Sequence, residues 1–273
     1  MTAPETTTST TPASPASPPL DDATRAVLAE YCLRLGDDRL VLGHRTSEWC
    51  GHAPILEEDI ALANIALDLV GQAALLLKLA GELEGKGRNE DALAYLRDAT
   101  QYRNQLLCEL PKGDFAFTIV RHFFFGVAAF LQLEGLTKSS HPDLAGIAAK
   151  ALKETRYHVR HAGEWVIRLG DGTGESHRRA QAAVDEQWRY TGEAFLTDDV
   201  DRALVAAGLV PDAAPMQAAW RAQVDDVLRR ATLTIPKEGW MQRGGRAGRH
   251  TEHLGHLLAE MQVLPRSFPG AQW

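Results

Sequence analysis

Apolar residues recur along this chain at three- and four-residue intervals, and runs of alternating β-branched residues are absent, so the pattern predicts helices throughout. A first helix is expected from Asp22, placed as its N-cap, through Val27, Leu28, Tyr31 and Leu35. Gly36 is expected to disturb it before it resumes toward Trp49, and Pro54 ends the passage. A second helix opens at Glu57, where Glu57, Glu58 and Asp59 set negative charge on the positive end of the helix dipole. It runs to Glu84, roughly 42 Å at 1.5 Å per residue. Because Ile60 to Ala80 is apolar on nearly all sides, the pattern predicts burial inside a large bundle.

Lys86 to Gly113 is less regular and holds a short helix over Asp91 to Arg97. A third long helix begins at Asp114, carries Phe115, Phe117, Phe123, Phe124, Phe125 and Phe130, and fades near Lys138. The fourth has Pro142 in its first turn and reaches Leu169, with Gly170, Gly172 and Gly174 marking its end. Further helices are expected over Glu175 to Phe195, Pro215 to Leu233 and His250 to Val263. Four long helices with shorter additions predict an all-α bundle, in which polar ligands would project inward from facing helices.

Composition changes this picture at the N-terminus. Thr2 to Pro19 is almost entirely Thr, Ala, Ser and Pro, with Glu5 its one charge, so it cannot bury enough apolar surface to offset the entropy of ordering. Residues 1–20 are therefore expected to be a disordered tail and 21–273 a single helical domain. The tail lacks the basic and apolar regions of a secretory signal. A net charge of −7 argues against nucleic-acid binding, and 45% hydrophobic residues against a disordered chain. Asp68, Gln72 and Lys78 interrupt the most apolar stretch, so no membrane span is expected. The three cysteines, Cys32, Cys50 and Cys108, have no zinc or redox spacing, which fits a cytoplasmic protein.

A helical bundle raises the question of a dinuclear metal centre, which takes a Glu from each of two helices and a Glu-x-x-His from each of the other two. No Glu-x-x-His or Asp-x-x-His occurs anywhere in the chain. What remains is a polar stripe of Asn64, Asp68 and Gln72 on the second helix, Arg121 and His122 on the third, and Glu154, His158 and His161 on the fourth. Asn64, Asp68, Arg121, Glu154 and His158 form the candidate network. Ordinary salt bridges on solvated helix faces are the first reading of these groups. A degenerate metal site, in which Arg121 pairs with Asp68 or Glu154 where a metal would otherwise sit, is the second, and a working dinuclear site built on Asp68, Glu154 and His158 the third.

Other constellations are looser. Glu48 and His52, with His44, would lie a turn apart only if helix persisted through Gly51. His250, His253 and His256 with Glu252 and Glu260 are the densest cluster of histidine and acid, for which packing at a helix end, with Thr251 as N-cap, is the simpler reading. Arg243, Arg246 and Arg249 punctuate a glycine-rich loop that would either meet phosphates or an acidic surface, or stay solvated. No nucleophile elbow, P-loop or dinucleotide fingerprint is present.

Two blocks of sequence point to a family. Leu42-Gly43-His44-Arg45-Thr46-Ser47-Glu48-Trp49-Cys50-Gly51-His52-Ala53-Pro54, followed by Glu57 to Asp68, resembles the C subunit of the bacterial phenylacetyl-CoA ring epoxidases, which are multicomponent monooxygenases. So does Gly248 to Gly255 with Leu257 to Gln262, ending in Trp273. The resemblance covers the chain from about Asp21 onward. It implies a ferritin-like fold and a non-catalytic, structural role, with no catalytic residue, metal or cofactor on this chain. It implies that the iron resides in a separate di-iron catalytic subunit of the same fold, and that a reductase carrying FAD and an iron-sulfur centre delivers electrons from NADPH. The expected partners are that di-iron subunit together with the other epoxidase components, the reductase included, with a homodimer also open. A stand-alone carboxylate-bridged di-iron oxygenase is the alternative.

Overall fold

The computed structural model describes residues 20–271, so the N-terminal tail expected over 1–20 lies outside them except for Leu20, and Trp273 lies outside them as well. Among the described residues there are ten α-helices and no strand. In chain order these are α1 (Asp22–Ser47), α2 (Leu56–Glu84), α3 (Glu90–Tyr95), α4 (Leu106–Glu109) and α5 (Phe115–Leu136), followed by α6 (Pro142–Gly170), α7 (Gly174–Trp188), α8 (Asp199–Ala206), α9 (Ala213–Arg230) and α10 (Glu252–Ser267).

The helix starts follow from their caps. Asp21, one residue earlier than expected, accepts from the Thr24 amide at the head of α1, and Asp114 accepts from the Phe117 amide at the head of α5. Pro142 occupies the first turn of α6, where its missing N–H costs nothing. The helix expected over Glu175 to Phe195 stops at Trp188, and α8 has no counterpart in the sequence reading.

α1 is unbroken at Gly36. A Cβ there would lie 2.7 Å from Leu77 Cδ2, and one at Gly43 would lie 3.0 Å from Val70 Cγ2. These glycines let α1 and α2 approach closely rather than interrupting the helix.

α1, α2, α5 and α6 form the central bundle. α1 pairs antiparallel with α2, and α5 with α6, through the contacts of Gly36 with Leu77 and of Gly126 with Val159. Hydrogen bonds from Gln132 to Tyr31, between Thr46 and His122, and from Trp49 to Thr118 fasten α1 and the turn after it to α5. A second layer covers α5. There Phe124 packs edge-on to Trp188 of α7, and Trp220 of α9 donates its indole N–H to the Phe124 carbonyl. α1 is covered by α4, α8 and α10, whereas α2 packs mainly on α1, α6 and the short α3.

α2 and α5 are long and apolar enough, by length and composition, to cross a bilayer, so Asp68, Gln72 and Lys78 do not bring α2 below that threshold. In the fold, 72% of the most apolar window of α5 is buried but only 44% of that of α2. The expectation that α2 is buried on nearly all sides is therefore corrected. One apolar face of it meets solvent.

Candidate functional site

The core stripe of α1 reads Leu28, Cys32, Leu35, Arg39, Leu42 and Thr46, and all six residues are buried. Arg39 thus places a guanidinium at an otherwise apolar register. Its Nε donates to Gln72 Oε1 of α2 at 3.1 Å, and its Nη1 to the Leu35 carbonyl at 3.0 Å. Gln72 passes the connection on, its Nε2 donating to Glu154 Oε2 of α6 at 2.9 Å. Burial pushes the Arg39 pKa below its ordinary value, with Asp38 opposing, and Nη2 has no hydrogen-bond partner among the described residues.

Two histidine–carboxylate pairs tie α6 to α2. His158 Nε2 lies 2.9 Å from Asp68 Oδ2, and His161 Nε2 lies 2.8 Å from Glu58 Oε2. The first would be an ion pair if His158 were charged. Burial nevertheless outweighs the pull of Asp68 and holds the imidazole below its ordinary pKa, so near neutrality it is a neutral Nε2–H donor. His122 of α5 is enclosed more deeply. Thr46 Oγ1 gives its single proton to the Leu42 carbonyl, so His122 Nε2–H donates to Thr46 at 2.8 Å. Burial, reinforced by Arg121, drives its pKa well below the usual value.

The structure thus joins Asp68 to His158 and brings Glu154 to the same helix pair through Gln72. It does not bring in the other two residues of the candidate network. Asn64 lies on the exposed outer face of α2. Arg121 is fully buried but turned to the loop before α5, donating through Nη1 to the Leu110 and Pro111 carbonyls at 2.6 and 3.0 Å. Burial and the nearby Arg45 lower its pKa to about 10. The expected pairing of Arg121 with Asp68 or Glu154 is therefore corrected. The arginine of the bundle centre is Arg39, 82 residues upstream, and its one sequence signal is its register within the α1 stripe.

This donor set does not fit a carboxylate-bridged pair of irons. Such a centre needs several convergent anionic oxygens with histidine nitrogens. Here the carboxylates are engaged one by one with His158, His161 and Gln72, and a guanidinium points into the same core. Among the described residues no three His, Cys, Asp or Glu side chains are placed to share a metal ion.

A second polar cluster, on the other side of α1, was not expected from sequence. Asp37 pairs with Arg97, and Asp38 takes Arg246 Nη2 at 2.7 Å together with the Gln105 amide. Glu109 holds His250 Nδ1 at 2.7 Å and the Thr251 amide at 2.6 Å. Glu193 accepts the backbone amides of Leu106, Gly244 and Gly245 at 2.8 to 2.9 Å, stitching separate segments to one carboxylate. Arg246, one of the three loop arginines, is thereby committed to the fold, while Arg243 and Arg249 are exposed.

The looser histidine motifs dissolve in the same way. Glu48 caps α1 and pairs with Arg45, His52 lies beyond the helix end, and His256 and Glu260 face solvent. Thr251 stands at the N-cap of α10 but makes no side-chain cap bond. The two sequence blocks that carry the family resemblance meet in space, since Arg45 Nη2 donates to the His253 carbonyl at 2.8 Å.

Comparison with known proteins places this architecture. The family model described as phenylacetic acid catabolic protein matches residues 11–273. The C subunit of the 1,2-phenylacetyl-CoA epoxidase of Escherichia coli (strain K12) is 50% identical over 246 residues, covering 90% of this chain and 99% of that protein.

Proposed function

Because the chain belongs to the phenylacetic acid catabolic protein family, we propose that it is the non-catalytic, structural subunit of a phenylacetyl-CoA epoxidase, supporting a di-iron catalytic subunit during aerobic phenylacetate degradation in the cytoplasm. The observation that carries this reading is Arg39. A buried guanidinium, bonded to Gln72 and through it to Glu154, supplies positive charge from within the chain to a bundle centre whose carboxylates a di-iron pair would otherwise require. The residues around it do the work of a fold: they orient α2 and α6 against α1.

In this reading no cofactor is held by the chain itself. Iron belongs to the sister catalytic subunit, while NADPH, FAD and the iron-sulfur centre belong to the reductase. Both are partners within one assembly, as the description of the relative as one subunit of an epoxidase suggests. Fold likeness alone would not distinguish a scaffold from an oxygenase, so the donor chemistry bears the weight.

The test is co-expression with the other epoxidase subunits, followed by size-exclusion chromatography and iron determination. The chain should co-elute with the iron-containing subunit while carrying no stoichiometric iron alone. Asp68→Ala and Glu154→Ala should lower its thermal midpoint and leave the iron content of the assembled complex unchanged. Stoichiometric iron in the isolated chain, with turnover of phenylacetyl-CoA once a reductase is added, would sink the proposal in favour of a stand-alone oxygenase.

A further inference from the structure

The outer face of α2 is a largely apolar surface, interrupted by Asn64 and Lys78, that the fold leaves uncovered. Ile60, Asn64, Leu67, Gly71, Ala74 and Lys78 follow one another at helical spacing along it, all exposed, over about 27 Å at 1.5 Å per residue. Leu67 is 69% exposed and Ile60 54%, and Leu56 continues the apolar line at the N-terminal end. A contiguous patch of this kind on a folded domain marks an interaction site more often than isolated surface leucines do. Midway along it, Leu67, Gly71 and Leu75 of α2 face Ile147, Lys150 and Ala151 of α6 across a groove of about 170 Å³, which Asp68, Gln72 and Glu154 also line, the two carboxylates already engaged by His158 and Gln72.

Shape and charge narrow the occupant. A Cβ added at Gly71 would meet nothing within 4 Å, and Ala74 is equally small, so another backbone can come close there, as in helix–helix packing. The exposed strip of α6 carries Lys150 in the groove wall and Lys153, Arg156 and Arg160 farther round the helix. Arg156 and Arg160 lie over the rings of Phe130 and Tyr157, and among the described residues no acidic partner forms an ion pair with any of the four. This is a basic rim on a chain whose net charge is −7.

A second copy fits poorly. Copies related by a two-fold axis that sets their α2 helices antiparallel would place α6 beside α6, and the two basic rims together. Copies with parallel α2 helices would instead oppose the exposed Glu57 to itself. Like charges set face to face in an interface are costly.

We infer that the outer face of α2, with the basic rim of α6, is the surface on which a different member of the assembly seats an apolar helix flanked by acidic side chains. This inference rests on the proposed role within an epoxidase, to which it adds the face used and the chemistry of the partner. Leu67, central and next to the groove, is the expected anchor.

The experiment compares the wild-type chain with Leu67→Glu, each co-expressed with the other epoxidase subunits, then analysed by size-exclusion chromatography and titration. Because Leu67 is exposed, the variant should keep its circular dichroism and thermal midpoint, and Ala74→Glu, also exposed, serves as a second probe. Both should weaken complex formation by about 100-fold or more. Lys150→Glu combined with Lys153→Glu should weaken it by about 10-fold at low ionic strength and less at high salt. Leu196→Glu, at an exposed leucine outside this face, should have no effect.

Wild-type affinity in Leu67→Glu and Ala74→Glu would overturn the surface assignment while leaving the structural role standing. Failure of the wild-type chain to bind any epoxidase component would overturn that role and the inference together. If the isolated wild-type chain is a dimer that Leu67→Glu dissociates, the occupant is a second copy and the inference is wrong. Sedimentation of the isolated chain with anionic phospholipid vesicles, lost in Leu67→Glu, would equally overturn it in favour of a membrane surface.

Discussion

α1 and α2 are adjacent antiparallel helices whose burial runs opposite to their sequences. α1 carries Arg34, Asp37, Asp38, Arg39, Arg45 and Thr46 on its middle and later turns, and every one of them is buried. α2 is among the most apolar segments of the chain, yet Ile60 and Leu67 stand in solvent. The difference lies in what surrounds each helix. α1 is wrapped by α2, α4, α8 and α10, and its polar groups are met one by one: Asp37 by Arg97, Asp38 by Arg246 and Gln105, Arg45 by Glu48 and the His253 carbonyl. Buried polar groups are tolerated when they are paired in this way. α2 has neighbours on two sides and none among the described residues on its outer face, so its hydropathy exceeds what this chain alone covers. Hydropathy reports which groups prefer to leave water; it does not report whether partners exist to receive them.

The contrast can be broken most strongly on the α1 side. Asp38→Ala should destabilise the chain by about 3–5 kcal/mol, because it strips Arg246 of its carboxylate and leaves the Gln105 amide unmet. Urea denaturation would show it, and a loss below about 1 kcal/mol would mean that the network adds little. At the α1–α2 contact, Gly36→Ala drives a methyl into Leu77 and should cost about 1–3 kcal/mol.

The two sides should also differ in their response to pH. His250, beside Glu109, is opposed by burial, but the hydrogen bond and charge of Glu109 prevail and its pKa is raised. Its stabilising contribution is complete below about 6.5, the unfolded value, and is lost as pH rises through the folded value. His158, against Asp68, is depressed by burial. Its contribution is present above about 6.5 and is lost as pH falls through its folded value, an acid limb shared with His122 and His44. Urea midpoints across this range should therefore show His250→Gln flattening the alkaline limb and His158→Gln the acid limb. The same slopes in both variants would contradict the assignment.

The smallest effects belong to the outer face of α2. Gly71→Ala, in open space, should stabilise the isolated chain by about 0.5–1 kcal/mol through helix propensity. Leu67→Ala should stay within about 0.5 kcal/mol of wild type in the same denaturation experiment. A large loss at either position would mean that this face is covered within the chain.

Much of the fold could be read from the pattern of the chain. The ends of α2, α5 and α6 fall within a residue or two of the positions marked by Glu57 and Glu84, Asp114 and Pro142, because caps and acidic first turns act locally. α8 escaped because its capping Asp198 and eight residues offer too short a period to stand out. The site was less accessible. Spacing within their own helices picks out Asp68 and His158, but their pairing spans 90 residues. Arg121 stands out by its place in an aromatic helix, although its partners are loop carbonyls that no side-chain pattern announces.

By itself, then, the sequence determined the four long helices and the ends of α2, α5 and α6, the absence of a Glu-x-x-His element, and the two blocks that carry the family resemblance, since each of these depends on residues within a few turns of one another. Only the tertiary structure decided that Arg39 rather than Arg121 enters the bundle centre, that the polar middle of α1 is buried, and that the apolar face of α2 is left open. Those outcomes depend on which distant segments arrive to satisfy a hydrogen bond or cover a side chain, and that is settled by packing between helices rather than by periodicity along one of them.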